Sequence, residues 1–158
     1  MSEYIPPTSS GELVLRWLRR CRKSQFAHYE MSVFYSKKNG FLGVPVILIN
    51  ALVSATIFAT FLKSDEPTIR ILALFLSVLA VILSALHNYL KFSDKAEAHR
   101  VAAAQYAAVR RKLEIMNIRE QVAAPDLEKM EVLISDLALK APTISAEQFD
   151  SLMRNFSE

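Results

Sequence analysis

The histidines and the one cysteine are the residues of this sequence that could carry chemistry as nucleophiles, bases or metal ligands. His28, His87 and His99 lack the spacing of metal ligands, and the sequence contains no HExxH, no CxxC and no glycine-rich phosphate loop. Cys21 is the only cysteine, so no disulfide within the chain is expected. The sequence therefore predicts a protein that is not an enzyme and that needs neither a metal nor a cofactor.

Other polar residues stand inside two long apolar segments, Phe41–Leu62 and Ile71–Leu90. Small and polar side chains recur along the second segment at about 100° per residue, which places them in one stripe of a helix. The stripe consists of Arg70, Ala73, Ser77, Ser84, Asn88 and Lys91. Such residues either form a seam between packed helices or line a water path, because polar side chains avoid lipid. Both interpretations are open for the five candidates, Asn50, Ser54, Ser77, Ser84 and Asn88.

A further polar face follows the second apolar segment. His99, Tyr106, Arg110 and Glu114 are separated by seven- and four-residue steps, so they lie roughly along one side of a helix. Arg110 and Glu114 are also spaced for an ion pair. This face is either solvated, with the tyrosine half-buried, or it is an interface. The interface would join a neighbouring subunit or the N-terminal helix, where His28 would meet it.

The two apolar segments are long enough to cross a lipid bilayer as helices. Neither contains Asp, Glu, Lys or Arg. About 20 helical residues cross the roughly 30 Å of bilayer hydrocarbon. The short segment between them is charged and contains Pro67. We therefore predict an all-α membrane protein with a two-span helical hairpin over residues 41–90, the spans lying at about 41–62 and 69–90.

The chain before the hairpin is predicted to form a flexible tail over residues 1–11 and a cytosolic helix over residues 12–40. Ser9 or Ser10 caps this helix, and Gly40 is expected to end it. The helix carries a cluster of basic residues, Arg16, Arg19, Arg20, Arg22 and Lys23. It either lies on anionic lipid or packs against a partner helix, and we favour the second arrangement.

The chain after the hairpin is predicted to be helical as well. No glycine or proline occurs between Pro67 and Pro125, so the second span should continue without a break as a cytosolic helix over residues 91–122. Two short helices are expected in residues 123–158. Ser145, with a glutamine three residues later, is typical of the capping box that begins a helix.

Basic residues flank the hairpin and predict its orientation. They are Lys37 and Lys38 before the first span and Lys91, Lys95 and Arg100 after the second, whereas the loop offers only Lys63 and Arg70. Under the positive-inside rule both termini lie in the cytoplasm. The net charge is only +3 and the acidic residues nearly balance the basic ones, so no nucleic acid partner is predicted.

The order of these features resembles the SLATT family, bacterial two-span proteins named for their association with SMODS nucleotidyltransferases and SLOG domains. The features are a basic helix with Trp17 and His28, a two-span hairpin, and a helix that carries His99, Ala102, Ala103, Tyr106, Arg110 and Glu114. The resemblance covers about residues 12–120. It implies a bacterial inner-membrane effector in anti-phage defence, no catalytic residues, and a nucleotide-signalling enzyme or sensor encoded nearby as partner.

Together, the residues and the resemblance predict a homo-oligomer that forms a pore or disrupts the bilayer, since one hairpin cannot enclose a pore. The alternative is a non-conducting membrane scaffold that tethers a cytosolic sensor or enzyme through the basic helix and the C-terminal helices. In a third interpretation, Arg110, Arg111 and Lys112 bind an anionic nucleotide directly.

Overall fold

The structure, a computed structural model, describes residues 5–63, 67–119, 122–154 and 156. The regular structure in these ranges consists of α1 (Ser10–Lys63), α2 (Pro67–Leu90), α3 (Phe92–Ile118), α4 (Ala124–Lys140) and α5 (Ala146–Met153). The predicted all-α class is confirmed. The start of the predicted tail and the middle of the loop between the spans lie outside the described residues.

The chain divides into two compact units. The bundle unit comprises Met1–Val33 and Ala96–Glu158, and the hairpin unit comprises Phe34–Lys95. Helices α1 and α3 each contribute residues to both units.

Helix α1 begins with the predicted serine cap. The amide of Glu12 donates to Ser9 Oγ at 3.2 Å, and the amide and hydroxyl of Thr8 donate back to Glu12 Oε2 at 2.9 and 3.1 Å. These hydrogen bonds satisfy amides that have no partner within the helix. The hydrogen bond from the Thr8 backbone, followed by that from its side chain, lowers the pKa of the Glu12 carboxyl.

The prediction that the first helix ends at Gly40 is wrong, because α1 continues through Gly40 and Pro45 to Lys63. The described glycines all have negative φ, so Gly40 does not adopt the left-handed conformation that ends helices. A glycine within a helix costs only about 1 kcal/mol relative to alanine. A helix end would leave four carbonyls without partners beside an apolar segment, where water cannot replace them, so continuing the helix is favoured.

The prediction of one unbroken helix through residues 91–122 is also wrong. Helix α2 ends at Leu90, Lys91 adopts a φ of 47°, and α3 begins at Phe92 and ends at Ile118. A left-handed residue other than glycine costs about 1–2 kcal/mol. The break turns Phe92 onto Tyr35, with ring centroids 6.0 Å apart, and this packing offsets part of that cost.

The core of the bundle unit lies between α1, α3 and α4. Its buried residues are Val14, Cys21, Tyr106, Val109, Leu113, Met116, Met130 and Leu137. The apolar face of α4 supplies part of this core, since Leu127, Leu133 and Ile134 pack against the same cluster as Met130 and Leu137. Each fully buried side chain of this size stabilises the fold by about 1.5–3 kcal/mol, so α4 is an integral part of the bundle unit.

Helix α5 is the last helix of the bundle unit. The amide of Gln148 donates to Ser145 Oγ at 3.3 Å, which confirms the predicted cap. None of the described residues of α5 is buried. Beyond the helix, the ring of Phe156 lies 5.1 Å from that of Phe26, and the guanidinium of Arg22 lies over Phe156 at 5.5 Å.

The hairpin unit is an antiparallel pair formed by α1 and α2. Gly43 lies beside His87, and Asn50 lies beside Ser84. Later residues of α1 thus contact earlier residues of α2, as two antiparallel helices require. Among its described apolar residues only Val53 and Ala80 are buried. One segment in the stretch Ser10–Ile57 and one in the stretch Arg70–Ile118 are long and apolar enough to cross a membrane, and only 6% of each segment is buried. A core helix of a water-soluble protein would be mostly buried, so these helices suit a lipid environment.

Candidate functional site

Asn50 and Ser84 form a polar contact between the two helices of the hairpin unit. Asn50 Nδ2 donates to the carbonyl of Val46 at 2.9 Å and to Ser84 Oγ at 3.4 Å. Asn50 is exposed and Ser84 is half-buried. The structure thus brings together one predicted residue from each span, and it does so at the seam between α1 and α2.

The remaining predicted residues of the hairpin unit are not drawn into that contact. Ser54 Oγ donates to the carbonyl of Asn50 at 2.9 Å, and Ser77 Oγ donates to the carbonyl of Leu74 at 2.8 Å. Both hydroxyls therefore satisfy themselves on their own helix, as serine commonly does in lipid. Ser77 is half-buried, whereas Ser54 and Asn88 are exposed.

His87 extends the seam by one helical turn, and its place there was not predicted from the sequence. A Cβ on Gly43 would lie 3.2 Å from His87 Cε1, so the absent side chain of glycine leaves the room that the imidazole fills. His87 Nδ1 is buried without a hydrogen-bond partner among the described residues. His87 follows Ser84 by three residues, but only the antiparallel register identifies Gly43 as its neighbour.

A second candidate site lies in the bundle unit, where His28 of α1 meets His99 of α3. Their Nδ1 atoms are 2.9 Å apart and both residues are buried, at 5% and 3% exposure. The ring of Tyr106 stacks on that of His28 with centroids 5.5 Å apart and planes 13° apart. The predicted contact between His28 and the polar face of the later helix is observed. Ala27, Ala102 and Ala103 are buried, and such small side chains let helices approach closely.

The two imidazoles share one proton between their Nδ1 atoms. A hydrogen bond between two ring nitrogens requires that one donates and the other accepts, so the accepting ring must be neutral. Burial, and then the neighbouring His99, lowers the pKa of His28 to about 4. Burial also lowers the pKa of His99. Burial raises the pKa of Tyr106, against a smaller opposing effect of its hydrogen bond with Ser24.

Arg110 and Glu114 belong to the same helix but form a separate ion pair. Arg110 Nε lies 3.2 Å from Glu114 Oε1, although the two atoms are not aligned for a hydrogen bond. Both side chains are partly exposed, so the pair contributes little to stability. Cys21 is buried in the bundle core, and burial raises the pKa of its thiol to about 11, which keeps it protonated and unreactive.

Two apolar helical segments that expose their side chains, joined to a helical bundle, define a two-span membrane protein. Residues 20–138 match the family described as SMODS and SLOG-associating 2TM effector domain family 4. The chain belongs to this family, and the resemblance to SLATT proteins is confirmed. No curated protein and no solved structure matches the chain. The family is a transmembrane effector domain and not a known catalytic family.

The family match begins at residue 20 and extends further toward the C-terminus than the sequence features indicated. It ends at residue 138, whereas the resemblance covered about residues 12–120, so it includes most of α4. This agrees with the packing of α4 into the bundle core. Among the residues described, no group of three or more His, Cys, Asp and Glu side chains is placed to hold a metal ion.

Proposed function

We propose that this chain is a homo-oligomeric effector of the bacterial inner membrane that forms pores or disrupts the bilayer during anti-phage defence. The polar contact between Asn50 and Ser84 inside a largely apolar hairpin is the observation that carries the proposal. Both termini lie in the cytoplasm in this arrangement, in accordance with the lysines that flank the spans. The partner is a nucleotide-signalling enzyme or sensor encoded nearby, in keeping with the family description.

An exposed amide gives the hairpin a reason to associate. Asn50, Ser54 and Asn88 are exposed in the single chain, and an amide that faces lipid is unfavourable. Packing against further hairpins, or contact with water inside an oligomer, removes that cost. One hairpin cannot enclose water, so conduction requires several copies.

Helix α1 offers a route by which a cytosolic signal reaches the hairpin. It contributes Val14 and Cys21 to the bundle core, and it continues without a break into the first span. A partner that binds the bundle unit more tightly in one position of α1 would favour the corresponding packing of the hairpins.

Conductance of the purified protein in planar bilayers tests the proposal, with the assembly size measured in the same detergent preparation. We expect discrete channel steps from a defined oligomer. The variant Ser77→Leu/Ser84→Leu should insert into membranes but lose conductance and toxicity, whereas the control Ile71→Leu/Ile82→Leu should retain both. A silent monomer, or unchanged activity of the serine variant, would contradict the proposed role of these serines.

The second candidate function is a membrane scaffold that does not conduct, and the exposed apolar surface of the bundle unit favours it. Ile118, Val132 and Leu139 are 83%, 63% and 86% exposed. Two grooves of about 220 and 450 Å³ lie between α3 and α4, and both are lined in part by Lys112 and Leu133. A scaffold should be tolerated when overexpressed, whereas an effector should depolarise cells.

A further inference from the structure

Aromatic rings and lysines converge in the hairpin unit where α2 passes into α3. The rings of Tyr35 and Phe92 stack with centroids 6.0 Å apart. Lys38 Nζ lies 4.4 Å from the centroid of Phe34 and 5.8 Å from that of Phe92. Lys95 Nζ lies 5.6 Å from Phe92 and 6.0 Å from Tyr35. Two ammonium groups from different helices therefore share the ring of Phe92.

The cluster has an excess of positive charge. Cation–π contacts hold the two lysines but do not neutralise them, and Lys37 and Lys91 add further charges at neighbouring positions. Among the described residues, neither Lys38 nor Lys95 forms an ion pair. The one acidic residue of the described hairpin unit, Asp94, is exposed. An anion placed beside these ammonium groups would offset their positive charge.

Exposed aromatic side chains connect this charged cluster to the apolar surface of the spans. Phe41 begins the first apolar segment and is 80% exposed, and Tyr89 lies near the end of the second and is 83% exposed. The antiparallel register places both at the same end of the hairpin unit as Tyr35 and Phe92. Aromatic residues with lysines beside an apolar span are typical of the level of the lipid headgroups.

We propose that Lys38 and Lys95, held by the ring of Phe92, bind the phosphate of an anionic phospholipid such as phosphatidylglycerol. The acyl chains of that lipid lie along the apolar surface near Phe41 and Tyr89, which a soluble anion would leave uncovered. The phosphate accepts hydrogen bonds from both ammonium groups, which lie beside the aromatic rings. This site is independent of whether the protein conducts.

Native mass spectrometry of the full chain in detergent, titrated with phosphatidylglycerol or phosphatidylcholine, tests this site. We expect wild-type protein to prefer phosphatidylglycerol by roughly tenfold or more, since each lysine near an anionic headgroup adds to the affinity. The variant Lys38→Gln/Lys95→Gln should lose that preference. The control Lys112→Gln/Lys129→Gln removes the same charge from the bundle unit and should keep it.

Phe92→Leu leaves every charge in place and should still weaken the preference, because the ring that orients the two ammonium groups is gone. Circular dichroism checks that each variant remains helical. The comparison of phosphatidylglycerol with phosphatidylcholine on wild-type protein does not depend on any variant. A wild-type protein without headgroup preference would overturn the proposal. So would an equal loss in the Lys112→Gln/Lys129→Gln control, or displacement of the lipid by excess inorganic phosphate.

Discussion

The histidine pair of the bundle unit combines close approach with deep burial. His28 and His99 hold their Nδ1 atoms 2.9 Å apart, and the protein leaves both rings almost without solvent contact. Protonation of the accepting Nδ1 would turn the hydrogen bond into a repulsion between two N–H groups, and protonation of the donating ring would place a positive charge in a buried site. Lowering the pH should therefore weaken the packing of α1 against α3 at this pair.

The stability of the bundle unit should fall as the pH is lowered from 6.5 to 4. The pKa of His28 is about 4 in the folded chain and near 6.5 when unfolded, so the unfolded state binds protons first and gains stability in this range. At pH 5 the loss should be on the order of 2 kcal/mol. Thermal unfolding followed by circular dichroism at pH 7 and pH 5 measures it.

The variant His28→Leu/His99→Leu should remove most of that pH dependence. Replacing both members leaves neither imidazole of the pair buried without its partner, so the variant should fold at pH 7. The control Met31→Leu, at another buried position of α1, should keep the wild-type response. Glu12 and Glu97, whose pKa values are lowered by hydrogen bonds from Thr8 and Arg100, lose their stabilising effect mainly below pH 5, outside the compared interval from pH 7 to pH 5. A double variant as acid-sensitive as wild type would contradict the assignment.

The serines of the second span should differ in their contribution to the hairpin unit. Ser84 accepts from Asn50 across the seam, whereas Ser77 donates to the carbonyl of Leu74 on its own helix. Ser84→Ala should lower the free energy of unfolding by about 0.5 kcal/mol, and Ser77→Ala should have little effect. Thermal unfolding in detergent compares them. If Ser84→Ala costs as much in an Asn50→Ala background as in wild type, the seam contact is not responsible.

At the scale of the helices, the hairpin unit depends on the close approach of α1 and α2 at Gly43. Gly43→Ala would bring a Cβ to 3.2 Å from His87 Cε1, so the imidazole would have to move and the hairpin unit should lose stability. Gly40→Ala is the matched control, because no atom lies within 4 Å of its added Cβ. It should stabilise α1 by about 1 kcal/mol through helix propensity.

Removing the imidazole of His87 should restore the stability that the hairpin unit loses when Gly43 is replaced by alanine. In thermal unfolding, Gly43→Ala/His87→Ala should be more stable than the sum of the two single variants indicates. Additive single variants would mean that the two residues do not touch.

The backbone conformation of Lys91 should limit the stability of the junction between α2 and α3. Its φ of 47° suits glycine, so Lys91→Gly should raise the free energy of unfolding by about 1 kcal/mol. Lys91→Val removes the same charge but adds a β-branched side chain, and it should be destabilising. Thermal unfolding in detergent compares the two variants. Equal stability would show that α2 continues into α3 without this conformation.

The helix types followed from the sequence, but the helix ends did not. Apolar length predicted both spans, and local polar pairs predicted the caps at Ser9 and Ser145, because these features depend on residues close in the chain. The helix boundaries predicted around Gly40 and Lys91 were wrong because tertiary contacts and the surrounding medium determine the backbone conformation at these residues. Gly40 stays helical where a break would leave carbonyls without partners, and Lys91 breaks a helix that contains no glycine or proline at that point.

The candidate sites show the same division. The meeting of His28 with His99 and Tyr106 was one of the alternatives that the sequence left open, since the spacing of His99 and Tyr106 identifies one face of the later helix. Asn50 and Ser84 are 34 residues apart in sequence, and Gly43 and His87 are 44 apart, so both contacts depend on the register of α1 against α2. No local pattern encodes that register, and the exposed Asn88 shows that membership in the polar stripe did not determine packing.

At the scale of the whole molecule, the family match and the packing both assign α4 to the effector domain. The match ends at residue 138, and α4 buries Met130 and Leu137 in the core shared with α1 and α3. A free docking element would instead expose its apolar face. Helix α5 lies beyond the match and has no buried residue among those described.

Truncation should therefore distinguish the structural role of α4 from that of α5. A chain ending at residue 142 keeps Ala141, which packs on the core, and should remain folded and insert into membranes as the full chain does. A chain ending at residue 122 loses α4 and exposes Val109, Leu113 and Met116, whose reburial by aggregation is favoured. Size-exclusion chromatography in detergent and thermal unfolding compare the two chains. If the chain ending at 122 stays monodisperse and as stable as the chain ending at 142, α4 is an accessory element and the bundle unit does not require it.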